Sequence, residues 1–270
     1  MILDYSEYIF RKGSQGVVNF KHQENNVDVF YAEKGVCPFC KIKIKNDVFR
    51  KSLRHPNIFE GSFEEWETVI QCPICGWWEH VYQNSSDAML EGVRFSEIKI
   101  NTSILRKYDD NSKVVPIKAL SEYIKKNPEK IYGIHHKKME ELTQSIFREC
   151  YSCDVELVGK SHDGGKDLIL INDDKPTIIQ VKRRTKKEMA EPVSSIRELL
   201  GTTLLHQSKS CIFVTTADHF SNMAIKEADK AKQLNLVEEF ELIDYHRFID
   251  MMQLKKKNNE LIWNKLIRLK

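Results

Sequence analysis

Residues 163–184 read DGGKDLILINDDKPTIIQVKRR, and their reading decides the fold. Two apolar runs, LILI at 168–171 and TIIQV at 177–181, flank the turn-like NDDKP at 172–176. Short Ile- and Val-rich runs separated by Asn, Asp and Pro predict an antiparallel hairpin. Polar groups interrupt both arms: Asp167 stands at the mouth of the first, and Gln180 and Lys182 lie in the second. Successive side chains of a strand alternate between faces. Asp167, Ile169 and Ile171 therefore share one face, as do Ile178, Gln180 and Lys182. Setting Asn172 opposite Thr177 places Ile169 across from Gln180 and Asp167 across from Lys182. Cross-strand partners project to the same side, so the three polar groups converge at one end of one face. A slip of one residue would scatter them.

A carboxylate and an amide oxygen are hard donors suited to Mg²⁺, and the backbone carbonyl of Val181 offers a third oxygen. A lysine beside a cation and a phosphate orients or activates water, or stabilises developing negative charge. The alternative is a plain Asp167–Lys182 ion pair at a sheet edge. Spacing alone leaves both open.

DGG-x-D at 163–167 followed by Q-x-K at 180–182 resembles the Mrr-like branch of the PD-(D/E)xK restriction endonuclease superfamily, where Gln commonly replaces the acid before x-K. MEELTQSIFREC at 139–150 is similar to the family's opening helix, with the pair Met139-Glu140. SSIRELLGTTLLHQSKSCIFVTTADHFSNMAIKEA at 194–228 resembles its helix with a Gly, its apolar strand ending in Thr-Thr and its Ala-bearing helix. ELIDYHRFIDMM at 241–252 resembles the closing strand and helix, so the similarity covers about residues 131–252. The resemblance implies an α/β fold, a restriction-endonuclease-like mixed sheet flanked by helices. It implies Asp167 as the main metal carboxylate, Gln180 as a second ligand, Lys182 as the catalytic lysine and Glu140 as a contributor from the first helix. Asp163, with Gly164 and Gly165, shapes the entrance to the strand. The neutral Gln180 gives the cation one negative charge fewer than an acid would, which raises the weight on Glu140.

A second motif lies upstream. CPFC at 37–40 and CPICGWW at 72–78 are Cys-x-x-Cys knuckles separated by residues 41–71. Cys37, Cys40, Cys72 and Cys75 supply four thiolates, the set structural zinc prefers, and leave no open position for catalysis. The gap predicts a β insert between the pairs. Trp66, Trp77 and Trp78 are expected to pack around the knuckles, with a base-stacking or docking surface as the alternative for one of them. Cys150 and Cys153 read as small core residues at a helix end, and Cys211 as buried packing in a strand.

The chain has 270 residues, 41% of them hydrophobic, enough for two domains with cores of their own. The expected division is a zinc-binding β-rich domain at 1–112, a helical connector at 113–134, an Mrr-like nuclease domain at 135–253 and a basic amphipathic tail at 254–270. In the connector, Pro116 opens a helix of about ten residues and Asn127-Pro128 ends it. The net charge of +3 is too small to argue for nucleic acid, but KRRTKK at 182–187 is locally basic. Arg183, Arg184, Lys186 and Lys187 therefore read either as phosphate contacts or as a solvated loop. No apolar run is long enough to span a membrane, and the first ten residues carry acids rather than a secretory signal. Seven cysteines without a signal suit a reducing compartment, hence a cytoplasmic protein, and the family resemblance implies a prokaryotic one.

The expected function is a metal-dependent DNA endonuclease using Mg²⁺ or Mn²⁺, with structural Zn²⁺, acting in restriction or anti-phage defence on double-stranded DNA. A homodimer and a defence-system partner protein are further expectations. A junction-resolving nuclease and a non-catalytic nucleic-acid- or partner-binding protein are the alternatives.

Overall fold

The computed structural model describes residues 1–18, 21–22, 35–55, 61–88, 93–158, 166–172, 175–254 and 261–269. The chain divides into two compact units, Met1–Ile2 with Tyr108–Lys257 and Leu3–Lys107 with Asn258–Lys270. A two-stranded ladder joins β1 (Ile2–Asp4) to β8 (Arg106–Tyr108).

The Leu3–Lys107 unit is built on one six-stranded antiparallel sheet. Its strands are β2 (Tyr8–Val18), β3 (Lys21–His22), β4 (Asp47–His55), β5 (Gly61–Gln71), β6 (Trp78–Ala88) and β7 (Val93–Ser103), in the order β3-β2-β7-β6-β5-β4. The predicted β insert between the two knuckles is the β4–β5 hairpin. Alternation divides the side chains between two small cores. Val81, Ile98 and Ile100 are buried on one face. Val69 and Trp78 bury against Trp263 of the tail on the other. Among its described residues, the tail, with its near-helical spacing of Leu and Ile, forms one 3-10 turn at Ile262–Lys265. Trp263 is its anchor. Beyond it, the N–H groups of Arg268 and Leu269 donate to the buried Glu67 carboxylate at 2.7–3.0 Å. Glu67 also accepts from His80 Nε2 at 2.7 Å, while His80 Nδ1 faces Asn101 Nδ2 at 3.0 Å. An acid inside this sheet is thus fully surrounded by donors, the condition for burying a charge.

The other unit opens with the predicted connector helix, α1 (Ile117–Lys126), entered through Pro116 and ended at Asn127, followed by a 3-10 segment at Pro128–Gly133. α2 (His136–Tyr151) follows, then β9 (Asp154–Leu157), β10 (Leu168–Asn172), β11 (Lys175–Lys182), β12 (Ala190–Glu191), α3 (Val193–Leu205), β13 (Ser210–Thr215), β14 (His219–Phe220), α4 (Asn222–Gln233), β15 (Glu239–Ile243) and α5 (Tyr245–Leu254). Five strands form a mixed sheet in the order β15-β13-β11-β10-β9, with β9, β10 and β11 antiparallel and β11, β13 and β15 parallel. β12 and β14 make a separate short parallel pair.

Each face of the five-stranded sheet carries a core. On one, Leu168, Leu170, Ile179, Val181, Ile212 and Val214 meet α1, α2 and α5 through Leu120, Met139, Leu142, Ile146 and Phe248. On the other, Ile178, Cys211, Phe213 and Phe240 meet α3 and α4 through Ile196, Leu199, Ala224 and Ala228. The alanines of α4 allow that helix a close approach to the sheet. Cys211 is buried as predicted. Cys150 is exposed rather than core, on a last turn of α2 where Arg148, Glu149 and Tyr151 are exposed as well, before Ser152 ends the helix in a left-handed conformation.

Candidate active site

The hairpin forms as predicted, in a different register. Asn172 pairs with Lys175, Ile169 with Ile178 and Leu168 with Ile179. Pro176 lies in β11, opposite Ile171. Pro176 N points to the β13 side, where pairing begins only at Thr177 with Ser210, so its missing N–H costs no ladder bond. Relative to the expected pairing the strands are shifted by two residues. A shift of two preserves the face. Gln180 and Lys182 therefore still share one side of β11, while Asp167 lies just before β10, outside its paired residues.

Asp167 precedes β10 and is bonded to β11 through both backbone and side chain. Its N–H donates to Ile179 O at 3.0 Å, and its Oδ2 accepts from Val181 N–H at 2.7 Å. The N–H and C=O of one strand residue point to the same edge, so the Val181 carbonyl also faces the Asp167 side. Gln180 is only 8% exposed, and its Oε1 has no partner among the described residues. A buried acceptor without a donor costs about 1–3 kcal/mol and calls for an explanation. Asp167 carboxylate, Val181 carbonyl and Gln180 amide oxygen together form an all-oxygen set for a hard cation, so the donors fit Mg²⁺ or Mn²⁺. Glu140 is half-buried on α2, which packs over the other face of the sheet. Asp163, Gly164 and Gly165 lie outside the described residues.

The strand end that carries Lys182 is fastened by a buried network absent from the sequence reading. Glu191 is fully buried. Arg184 donates to it through Nε at 2.9 Å and also through Nη2, and Thr215 Oγ1 donates at 2.8 Å. Thr216 N–H donates to Lys182 O at 3.2 Å, and Arg184 N–H donates to Thr216 Oγ1 at 2.7 Å. Thr215 and Thr216 thus close the end of the sheet around Lys182. Glu191 falls in the polar stretch KKEMAEP, where no periodicity marks it as buried; its position just before Pro192 and α3 is the only hint. Arg184 is engaged by Glu191, and Arg183 Nη1 donates to Tyr132 O at 2.8 Å. Lys186 and Lys187 are exposed. His135 caps α2, its Nδ1 accepting from Lys137 N–H at 3.2 Å.

The four predicted zinc ligands come together in the other unit. The Sγ atoms of Cys37, Cys40, Cys72 and Cys75 all lie within 4.8 Å of one another, with Cys37 and Cys75 at 3.6 Å. Zn–S bonds of about 2.3 Å in a tetrahedron set sulfur atoms about 3.8 Å apart, so the donor set fits zinc. The two knuckles share a turn. Gly76 N–H donates to Cys72 O, Lys41 N–H donates to Cys37 O, and both residues have positive φ, 87° and 58°. Gly76 adopts that conformation freely, whereas Lys41 does so at the position where the first knuckle lacks a glycine. Burial and the neighbouring thiols push the Cys37 thiol up, and Cys75 with burial pushes Cys40 to about 12. Burial opposes ionisation of Cys72 as well, yet N–H groups of Cys75 and Ile74 bring it down to about 7. Trp77 packs on this cluster, Trp78 belongs to the Trp263 core, and Trp66 stands apart from both.

Residues 131–252 match a family model described as a restriction endonuclease, the Mrr catalytic domain. No curated protein matches the chain. The matched span contains α2, all five strands of the mixed sheet and most of α5, and it excludes the cysteine knuckles. Among the described residues no helix is long and apolar enough to cross a membrane.

Proposed function

Because residues 131–252 form a domain of the Mrr-type restriction-endonuclease family, we propose that the chain is a divalent-metal-dependent DNA endonuclease working from Asp167, Gln180 and Lys182. The observation that carries this reading is the buried Gln180 oxygen, without a donor among the described residues, on the face of β11 that also carries Lys182. Asp167, Gln180 Oε1 and the Val181 carbonyl would hold Mg²⁺ or Mn²⁺. Such an ion supplies a polarised water and neutralises charge on the phosphate.

The protein's own groups do the rest. Asp167, tied to Val181 N–H, is oriented before substrate arrives. Lys182 projects its ammonium from the same face as Gln180 and stabilises negative charge on the phosphate oxygens as water attacks in line and the phosphorus–oxygen bond to the leaving strand breaks. The clamp of Thr215, Thr216, Arg184 and Glu191 holds the backbone on either side of Lys182 and limits its excursions. With Arg184 committed to Glu191, the exposed Lys186 and Lys187 are the better candidates for phosphates further along the duplex. One such centre cuts one strand, so a double-strand break calls for a second copy. Restriction or anti-phage defence is the role we infer from the family. Zn²⁺ on Cys37, Cys40, Cys72 and Cys75 is structural, since four thiolates leave no position for water.

The test is zinc-loaded full-length protein with Mg²⁺ or Mn²⁺ on plasmid, methylated plasmid and phage DNA, beside Lys182→Ala. Metal-dependent nicking or linearisation that disappears in the variant is expected. Equal cutting by both proteins would remove the site assignment.

A further inference from the structure

Face pairing in the six-stranded sheet brings two rows of side chains together across β4, β5 and β6. Arg50 pairs with Thr68 and Thr68 with Val81; Ser52 pairs with Trp66 and Trp66 with Gln83. Cross-strand partners share a face, so all six project to one side. They line a cavity of about 410 Å³. That lies within the roughly 300–1,000 Å³ of small-ligand sites. Val81, continuous with Ile98 and Ile100, gives it an apolar floor. Trp66 is 36% exposed, whereas Trp77, Trp78 and Trp263 are all buried. Ser52, Thr68 and Gln83 add hydroxyl and amide groups around the indole.

An indole beside hydroxyls and an amide matches a planar heterocycle with hydrogen-bonding edges. Cations border the same face. Arg50 and Arg54 have side chains 75% and 76% exposed, and Arg11 lies two strands beyond Val81 in the row that runs through Ile100. Each is held by an acid, Asp47, Glu64 and Glu79 respectively, on the sheet surface. This fixes the guanidinium positions while leaving Arg50 and Arg54 largely open to solvent. An aromatic wall, an apolar floor and flanking guanidiniums suit a base attached to phosphates.

We propose that this cavity binds a nucleobase of DNA, one exposed by a single strand or turned out of a duplex, with Trp66 as the stacking platform. The proposal rests on the nuclease reading for its choice of DNA. It assigns the metal-binding unit a substrate-reading role distinct from holding its own fold together.

The experiment uses the full-length, zinc-loaded chain without added Mg²⁺. Tryptophan emission is followed against mononucleotides, a single-stranded oligonucleotide, a matched duplex and a duplex with one mismatch, with strand affinity read by anisotropy. Because the other three tryptophans are buried, quenching reports on Trp66. Single strand and mismatched duplex are expected to quench more than matched duplex. Trp66→Ala should weaken single-strand binding about tenfold, and Trp66→Phe should retain most of it. Strand binding without quenching, quenching by mononucleotides alone, unchanged affinity in Trp66→Ala, or equal losses in the Ala and Phe variants would each overturn the proposal. If Trp66→Ala fails to retain zinc, the wild-type quenching and the Phe variant still decide. Plasmid cleavage is scored separately. Strand-dependent quenching without cleavage removes the nuclease reading and leaves the pocket, and cleavage without any Trp66 response does the reverse.

Discussion

Gln180→Met separates stability from function at the centre of the candidate active site. Gln180 is 8% exposed and its Oε1 has no partner among the described residues. Met has nearly the same length and no polar atom to desolvate. Removing a stranded acceptor recovers part of the roughly 1–3 kcal/mol that such a group costs, less what the amide N–H₂ contributes. In protein with zinc retained but no other divalent ion, the variant should therefore be more stable by about 1 kcal/mol. For a unit of this size that raises the midpoint by about 2–4 °C. Adding Mg²⁺ should stabilise the wild type by mass action and leave the variant almost unmoved. DNA cleavage should be lost. Gln180→Glu supplies the opposite control: a second carboxylate beside Asp167 should destabilise the ion-free protein and regain stability with Mg²⁺. Thermal unfolding with and without Mg²⁺, paired with the plasmid assay, reads all of these. A metal-free Gln180→Met protein less stable than wild type by more than about 1 kcal/mol would show that the oxygen was already satisfied, and the inference of a cation there would go with it.

Four further outcomes are expected. Asp167→Asn and Lys182→Ala should abolish cleavage while shifting thermal midpoints little, since the Asn oxygen can still accept Val181 N–H; a cutting variant would contradict the roles given to these residues. Glu191→Ala strands the Arg184 guanidinium, while Thr215 Oγ1 keeps Lys182 O as an acceptor, and should cost about 3–5 kcal/mol in urea unfolding, with Glu191→Ala/Arg184→Met recovering a large part; purely additive losses would count against a coupled pair. Cys72→Ser should lower bound zinc measured by atomic emission and unfold the Leu3–Lys107 unit at lower temperature, and a variant of unchanged zinc content would show that the thiolates are not the ligands. Burial holds His80 below the ordinary 6.5 despite Glu67 beside it. The unfolded chain then binds the proton more readily than the folded one, so stability of that unit should be highest above about 6.5 and fall as pH drops below it. His80→Gln should flatten that slope in urea titrations at successive pH values, and an unchanged slope would place its origin elsewhere.

Local chemistry was the legible part of this sequence. Knuckle spacing led directly to four thiols in one cluster, and Pro116 with Asn127-Pro128 bounded α1 as found. Alternation put Gln180 and Lys182 on one face of β11 because that property depends only on parity. Register was not legible, since it depends on where the turn closes. Pro176 looked like a turn residue and is instead a strand residue at a place where no N–H is needed. Glu191 escaped notice because its burial comes from β13 and α3 folding over a polar segment, a tertiary event with no periodic signature. The tail escaped for a similar reason. Its spacing suggested a helix, but Trp263 and the Glu67 carboxylate hold its backbone in a single turn and an extended end.

That tail also determines how the protein can be dissected. The six-stranded unit is assembled from two stretches of sequence, 3–107 and 258–270, with residues 108–257 of the mixed-sheet unit spelled out between them. A fragment stopping near residue 112 would contain every zinc ligand and still lack Trp263, leaving Val69 and Trp78 wet and the Glu67 carboxylate without its two backbone donors. Expression of the zinc unit alone therefore calls for splicing residues 258–270 back on through a short linker, and a lone proteolytic nick between the units would not set either one free.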